Sequence, residues 1–532
     1  MRCQVSVVGE NEESRSVILE GEASEPLSRL LWLSAGLAPQ ALCTGLGLCG
    51  RCRLRFLGRA VPWTGAETAV FSEEELAQGW RLSCRHTLGE LQELHASPVF
   101  FLPGNCFERA CATHTDSLPQ RDLLLALDLG TTSVCWQLVT TNGDVQASNH
   151  FLNPQACVGS DVISRLAYAQ VPVKRKQLAE LVREAIVQDV SRYTRFSEIR
   201  LLCLAANTAM AEIFLDSDVR GLASAPYRLV HRGHEYLHLQ KFPPVYLPPL
   251  PGPFLGSDVS AGLAEMLARD LPKPWLLVDL GTNAEFALMT DELYLASVPM
   301  GPAVEGIGMR CGQLAGEDVI TAFTLGPSGL VGQCPQQSLA PSGISATGYF
   351  SLLSQLVRVK LVDASGHFLR GQAMPVLSKI SAKVSPYHGV ERLDLGSGLF
   401  LEARDVEELL KVKAAFATAL HFLLKAAGLQ ARQLSKIFLA GALGEHVQPK
   451  DLETLGFFPQ GLAEKIVPCG NSALMGAARL AVSMPLRDAL FALCQGAHVL
   501  TLTDEADFQQ SFFAAMHFGT DEPQCYPYIK KL

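Results

Sequence analysis

The string CTGLGLCGRC places Cys43, Cys49 and Cys52 at a C-x5-C-x2-C spacing, and a further cysteine, Cys84, follows in WRLSC. Three thiolates from one loop can wrap a compact 2Fe-2S cluster while backbone N–H groups point at its sulfurs, with the fourth ligand arriving from a distant strand. Gly45, Gly47 and Gly50 suit such a loop, because residues without a Cβ let the backbone approach closely. Structural zinc sites usually pair their ligands as two short hooks, which this loop does not. A second set of residues is duplicated. LLLALDLGTTSVCWQLVT carries Asp128, Gly130, Thr131 and Thr132, and WLLVDLGTNAEFALMT carries Asp279, Gly281, Thr282 and Asn283, with the two aspartates 151 positions apart. In each copy glycine permits a turn whose N–H groups face an anion, hydroxyls and amides add donors, and the two aspartates together can hold a hydrated Mg2+. Such a pair can clamp the triphosphate of ATP.

The elements that must position these groups follow from the pattern. Each DLGT copy reads strand, turn, strand, and TNGD supplies an Asn-Gly hairpin turn into DVQASN. Neither copy runs from its turn into a helix and no Walker A string is present, which excludes P-loop and Rossmann arrangements. A duplication of this size implies two similar halves facing each other across a cleft. In the first hundred residues, 4–8 and 16–20 read as strands around the turn NEES, and 26–37 as an amphipathic helix, an order that predicts a β-grasp. Residues 99–121 read as a flexible linker, rich in Pro, Gly, Thr and Asp. It holds Cys106, Cys111 and His114, expected to be exposed groups because no fourth metal ligand accompanies them. The expected partition is a cluster domain at 1–98, the linker at 99–121, one lobe at 122–274, and a second lobe with a C-terminal extension at 275–532.

Length and composition agree. The 532 residues predict three or four domains at roughly 150 residues each. With 48% hydrophobic and 18% charged residues, global disorder is excluded. A net charge of -9 supplies no basic field for a phosphate backbone, so no nucleic-acid partner is expected. The chain shows neither a long uncharged apolar run nor a signal-peptide pattern, so a cytoplasmic protein without membrane association is expected. In that compartment the fifteen cysteines are expected to be metal ligands or buried thiols.

The cysteine pattern resembles the 2Fe-2S ferredoxins, with one residue more in the loop than the plant-type spacing, as in their adrenodoxin-like branch. The paired DLGT motifs resemble the acetate and sugar kinase, heat-shock chaperone and actin superfamily. That resemblance implies an actin-like ATPase of two ribonuclease-H-like lobes. It makes Asp258, in GSDVSAGLAEML, the residue that orients water or metal, and IFLAGALGEH the adenosine motif, with Gly441 and Gly444 letting the base lie close. Beyond it, Gly470 makes room for ribose or base beside Asn471, with Cys469 as buried filler. Taken with NPQACVGSDVISRL, AANTAMAEIFL, GPAVEGIGM and VPCGNSALMGAARL, the whole chain resembles the reductive activators of corrinoid proteins.

The resemblance implies that ATP helps to move an electron from the cluster onto Co(II) of a corrinoid protein, restoring Co(I) for methyl transfer. The implied partners are that corrinoid protein (a corrinoid iron-sulfur protein or the corrinoid subunit of a methyltransferase), a low-potential electron donor, and a second copy of the chain in a homodimer built by the ATPase domain. Two alternatives stand beside it: a small-molecule kinase with a regulatory cluster, and a non-enzymatic nucleotide and redox sensor. Two departures from the family are visible. Asp128 follows the linker with no intervening domain, and Ala284 occupies a position where the family has glycine. Ala284 is strained if that position needs a positive φ.

Other strings have plainer readings. HEYLH, residues 234–238, matches a zinc-protease pattern, but Gly233 and Pro243 bracket it and its residues alternate in strand fashion. Asn207 and Thr208 read equally as cleft residues or as a helix cap after a buried strand. Glu305 in GPAVEG is expected to cap the turn that follows rather than to meet a phosphate-bound metal.

Overall fold

A computed structural model describes the chain apart from residues 10–12, 36–44, 46, 48, 49, 51, 95, 96, 103–121, 160, 307, 328, 337–340, 372, 373, 388 and 520–532, and the side chains of 34, 35, 69, 302 and 305. Strict alternation buries Val5 and Val7 of β1 (Arg2–Val8) and Val17 and Leu19 of its antiparallel partner β2 (Ser14–Glu20) on one face. Leu27, Leu30 and Leu31, spaced along one side of the helix Leu27–Ala35, cover that face as an amphipathic helix must. Three more strands, β3 (Arg53–Phe56), β4 (Trp80–Leu82) and β5 (Val99–Phe101), complete a sheet ordered β2-β1-β5-β3-β4.

The linker boundary expected at 99 is therefore corrected. Val99–Phe101 runs parallel to β1 and antiparallel to β3 in the middle of the sheet, and Phe100 is buried edge-on against Phe56 at 4.9 Å. The prolines at 98 and 103 suggest loop, but they leave room for a three-residue apolar strand between them. Cys106, Cys111 and His114 lie outside the described residues.

The next sheet grows from β6 (Leu123–Leu129), β7 (Ser133–Val139) and β8 (Val145–Leu152), an antiparallel meander. On its other side β6 pairs in parallel with β9 (Ile199–Ala206), beyond which lie β11 (Val245–Leu247) and, outermost, β10 (Glu235–Leu237). The pattern recurs. β12 (Trp275–Leu280), β13 (Asn283–Met289) and β14 (Leu293–Pro299) form a second meander, and the strand Lys436–Ala440 pairs in parallel with β12. Each sheet thus has a buried central strand ending near an aspartate, flanked by a hairpin on one side and a parallel strand on the other.

Two helices, Ser257–Leu267 and Ser472–Val482, lie between the sheets and set their spacing. They approach so closely that a Cβ at Gly476 would fall 1.7 Å from the Ala261 carbonyl oxygen. Ala126, Cys203 and Tyr246 from the first sheet share one apolar cluster with these helices and with Leu277, Ala287 and Phe438 of the second. The lobes are therefore joined by a core, and only their outer ends can form a cleft. No helix among the described residues is long and apolar enough to cross a membrane.

Candidate functional site

The floor of the cleft is built by strand ends and two helix starts. Asp128 and Asp279 sit near the ends of β6 and β12. Asp258 opens the helix Ser257–Leu267, whose start is pinned because Ser257 Oγ accepts from the Ala206 N–H and donates to the Leu204 carbonyl, both at 2.9 Å. Asn471 caps the helix Ser472–Val482 by accepting from the Leu474 N–H, and its Nδ2 donates to Asp128 Oδ2 at 2.6 Å. A residue from the far end of the chain thereby ties the second lobe to the carboxylate of the first.

Strand register adds a group that the motif reading did not single out. Asp279 lies opposite Glu285, as Asp128 lies opposite Cys135. Alternation along β13 from Asn283 turns Glu285 to the same face, so the signal was present in GTNAE. The four carboxylates are half-buried together. Burial, opposed by the Asn471 bond, raises Asp128 to about 6. Burial with the charge of Asp128 brings Asp258 to about 7. Asp279 reaches about 7 through burial and both neighbours, and Glu285 is pushed well above the carboxylate range by burial, Asp258 and Asp279. Burial first, then Asp128, pushes the Cys135 thiol up to about 12. An all-oxygen donor set that resists its own negative charge suits a hard cation. Among the described residues no three His, Cys, Asp or Glu side chains are arranged to hold a metal directly.

The two glycine turns do less than expected. Gly130 N–H donates to the Ser133 carbonyl and Gly281 N–H to the Asn283 carbonyl, each at 2.9 Å, closing the hairpins. Those two N–H groups are spent within the fold, and any anion must be met by the neighbouring Thr131, Thr132, Thr282 and Asn283. The choice left open at Asn207 resolves into both roles: its Oδ1 caps the helix Thr208–Phe214 and its Nδ2 donates to Thr131 Oγ1 at 3.1 Å. Thr208 faces away and donates to the Gly252 carbonyl.

Ala284 carries no strain. It is a buried β13 residue opposite Leu280 and Val298 and is absent from the positive-φ positions. Gly441 does need its freedom: at φ +81° a Cβ there would lie 2.6 Å from Asp279 Oδ1. Its bareness accommodates a carboxylate of the site. Gly444 is buried in the helix Gly441–His446, where a Cβ would lie 3.1 Å from the Leu439 backbone. Gly470, at φ +66°, faces open space. Cys469 is buried with its Sγ donating to the Leu439 carbonyl. The backbone of Glu305 ends a short 3-10 turn, Pro302–Glu305. HEYLH is the edge strand β10 with its ends, and His234 stacks on Phe491 at 4.2 Å.

Of the four cysteines expected to hold a cluster, Cys43 and Cys49 lie outside the described residues. Cys52 and Cys84 are buried in one small apolar cluster with Phe71, Leu76 and Leu82. Ser83 joins them, donating from both its N–H and Oγ to the Cys52 carbonyl at 2.8 Å. Gly45, Gly47 and Gly50 all have positive φ, and a Cβ at Gly45 would approach Cys84 at 3.9–4.0 Å. Gly45 therefore lies close to Cys84, and Arg85 donates to the Gly45 carbonyl at 3.1 Å. Beneath it, buried Glu67 accepts from the Thr64 and Leu82 N–H groups at 2.6 Å and faces His86 Nε2 at 3.0 Å. Burial pushes the Glu67 carboxyl up, but these bonds outweigh it and hold the group below its ordinary value. This is a cradle that two cysteines already share, and it suits a compact cluster.

Family models match most of the chain beyond this domain: the C-terminal domain of RACo, the ASKHA domain, over residues 273–530, and the RACo middle region over 123–271. The chain belongs to the RACo family. It is a mixed α/β multidomain protein with the actin-like ATPase domain of that family. Among curated relatives, the corrinoid activation enzyme RamQ of Eubacterium limosum is 27% identical over 416 residues, covering 72% of this chain and 69% of RamQ. The [Co(II) methylated amine-specific corrinoid protein] reductase of Methanosarcina barkeri is 25% identical over 451 residues, covering 74% and 77%. A solved reductive activator for corrinoid, iron-sulfur protein superposes over 99% of this chain and 100% of its own, with a TM-score of 0.67 at 21% identity. That likeness shows the shared fold.

Proposed function

We propose that this RACo-family chain is an ATP-dependent reductive activator, which passes one electron from a 2Fe-2S cluster held by Cys43, Cys49, Cys52 and Cys84 to a corrinoid protein. The observation that carries the reading is the presence, in one chain of this family, of a carboxylate-floored cleft between duplicated turns and of a cysteine cradle in a separate domain. The strand order of the N-terminal sheet supports a β-grasp ferredoxin. The names of the two curated relatives support the corrinoid substrate. The cobalt gains the electron, Co(II) becoming Co(I), and a low-potential donor restores the electron lost. The protein acts in the cytoplasm as a homodimer.

Bound, the cluster would supply a one-electron donor, and Mg2+ would neutralise the phosphate charge of ATP. The chain's own residues do the rest. Asp128 and Asp279 would flank the phosphates, Thr131, Thr132, Thr282 and Asn283 would offer donors, and Asn471, bonded to Asp128, would carry any change there into the helix Ser472–Val482. Open space at Gly470 leaves room for the nucleoside. Asp258 and Glu285 are placed to hold the attacking water. The unstrained Ala284 removes the ground for a chain that binds ATP without turnover. The expected result is ATP hydrolysis stimulated by a Co(II) corrinoid protein. Stoichiometric phosphorylation of a small acceptor, without such stimulation, would instead make the chain a kinase.

A further inference from the structure

The helix Leu27–Ala35 reaches beyond its own sheet. Arg29 Nη2 donates to the Val158 carbonyl at 3.3 Å, and its guanidinium lies 4.9 Å from the centre of the Tyr168 ring. Lys174, which also lies over Tyr168, stands 3.4 Å from Glu22 and 3.8 Å from Glu25. The N-terminal domain thus docks on the first lobe through a narrow polar contact. Contacts of this kind characterise transient interdomain interfaces, and each is worth little in water.

The segment and helix that receive this contact also carry the two residues, Asn153 and Arg165, that hold the first phosphate turn from behind. Asn153 Nδ2 donates to the Gly130 carbonyl and Asn153 N–H to the Thr132 carbonyl, both at 2.8 Å. Between them, fully buried Arg165 donates from Nη2 to the Thr131 carbonyl at 2.5 Å. From its other nitrogens Arg165 reaches the Gly159 carbonyl at 2.8 Å and Gln155 Oε1 at 3.4 Å. Three consecutive carbonyls of the turn are therefore fixed by Asn153, which leads through the turn Pro154–Cys157 to the Val158 carbonyl that Arg29 grips, and by Arg165, which bonds the next carbonyl, Gly159, and shares the helix Val162–Ala169 with Tyr168.

We infer that ATP and the N-terminal domain bind this segment cooperatively. Docking orders the residues that hold Gly130, Thr131 and Thr132, so phosphate meets a turn whose ordering cost is already met; phosphate bound to that turn favours docking in return. Sites that order one shared segment are coupled in this way without any large displacement, and the coupling is reciprocal. Because the helix Leu27–Ala35 belongs to the domain that carries the cysteines, the nucleotide would govern whether the redox domain is held against the first lobe or released toward a partner. The inference rests on the nucleotide reading of the cleft.

The test is titration of Mg-ATP into the full-length chain and three variants: Arg29→Ala, Lys174→Glu, and Lys174→Glu combined with Glu22→Lys. None of these residues belongs to the cleft. The two single variants are expected to bind ATP about fivefold more weakly, and the charge exchange to recover most of the loss. In the wild-type chain ATP should also slow amide exchange in Leu27–Ala35, and in Lys174→Glu it should not. Equal ATP affinity across the series would overturn the coupling and leave the nucleotide site intact. A wild-type chain that binds no ATP would overturn the nucleotide reading itself.

Discussion

Asp128, Asp258, Asp279 and Glu285 crowd one cleft floor, and each is shifted toward its protonated form because burial and the neighbouring carboxylates penalise a further negative charge. Glu285 is held well above the carboxylate range by burial, Asp258 and Asp279, as expected of a group able to hold a proton from water. Glu285→Gln keeps the shape and removes the charge. Its ATP turnover should fall about 100-fold or more while Mg-ATP still binds, which steady-state hydrolysis and a binding titration would resolve. Loss of binding with the remaining turnover unchanged would make Glu285 a ligand instead. The same crowding gives a pH dependence whose sign can be fixed. Asp279 has a folded value of about 7 against roughly 3.9 when unfolded, so between these values the folded chain binds more protons and stability falls as pH rises. In chelator and without nucleotide, Asp279→Asn should match the wild-type chain near pH 4 and become progressively the more stable of the two up to pH 8. Parallel melting curves across that range would contradict this account.

The two central helices turn these residue effects into a geometry. Their contact depends on the missing side chain at Gly476, which faces the backbone of Ala261. Gly476→Ala must push the helices apart and should cost about 3 kcal/mol or more, seen as a lower denaturation midpoint. Because Asn471 heads the same helix, ATP affinity should fall as well. Much of this level was legible in the sequence. The apolar runs ending in DLGT marked both meanders, and an Asn-Gly turn marked the first, since these signals are local. The bond from Asn471 to Asp128 joins residues 343 positions apart and has no local signal. Nor do Asn153 and Arg165 reveal from their own strings that they hold a turn more than twenty residues away. Val99–Phe101 was hidden for another reason: prolines around it mark a loop, and only its partners in the sheet make it a strand. Glu285 was legible in principle, since strand alternation alone brings it beside Asp279.

On the scale of the whole molecule, the cysteine cradle and the carboxylate cleft are built by different domains, so in the proposed function ATP would act on the electron transfer through conformation. Shifting a two-state equilibrium from 1:99 to 99:1 takes about 5.5 kcal/mol, and moving one electron against 100 mV takes about 2.3 kcal/mol. A coupling of that size spans roughly 200 mV, enough to make an unfavourable reduction of cobalt proceed. The most direct measurement mixes the anaerobically reduced protein with a Co(II) corrinoid protein from the same organism and follows the Co(I) absorbance with and without Mg-ATP. The account predicts Co(I) that forms only, or far more extensively, when Mg-ATP is present. Equal Co(I) without nucleotide, or none with any native corrinoid protein while the cluster remains reducible, would contradict it.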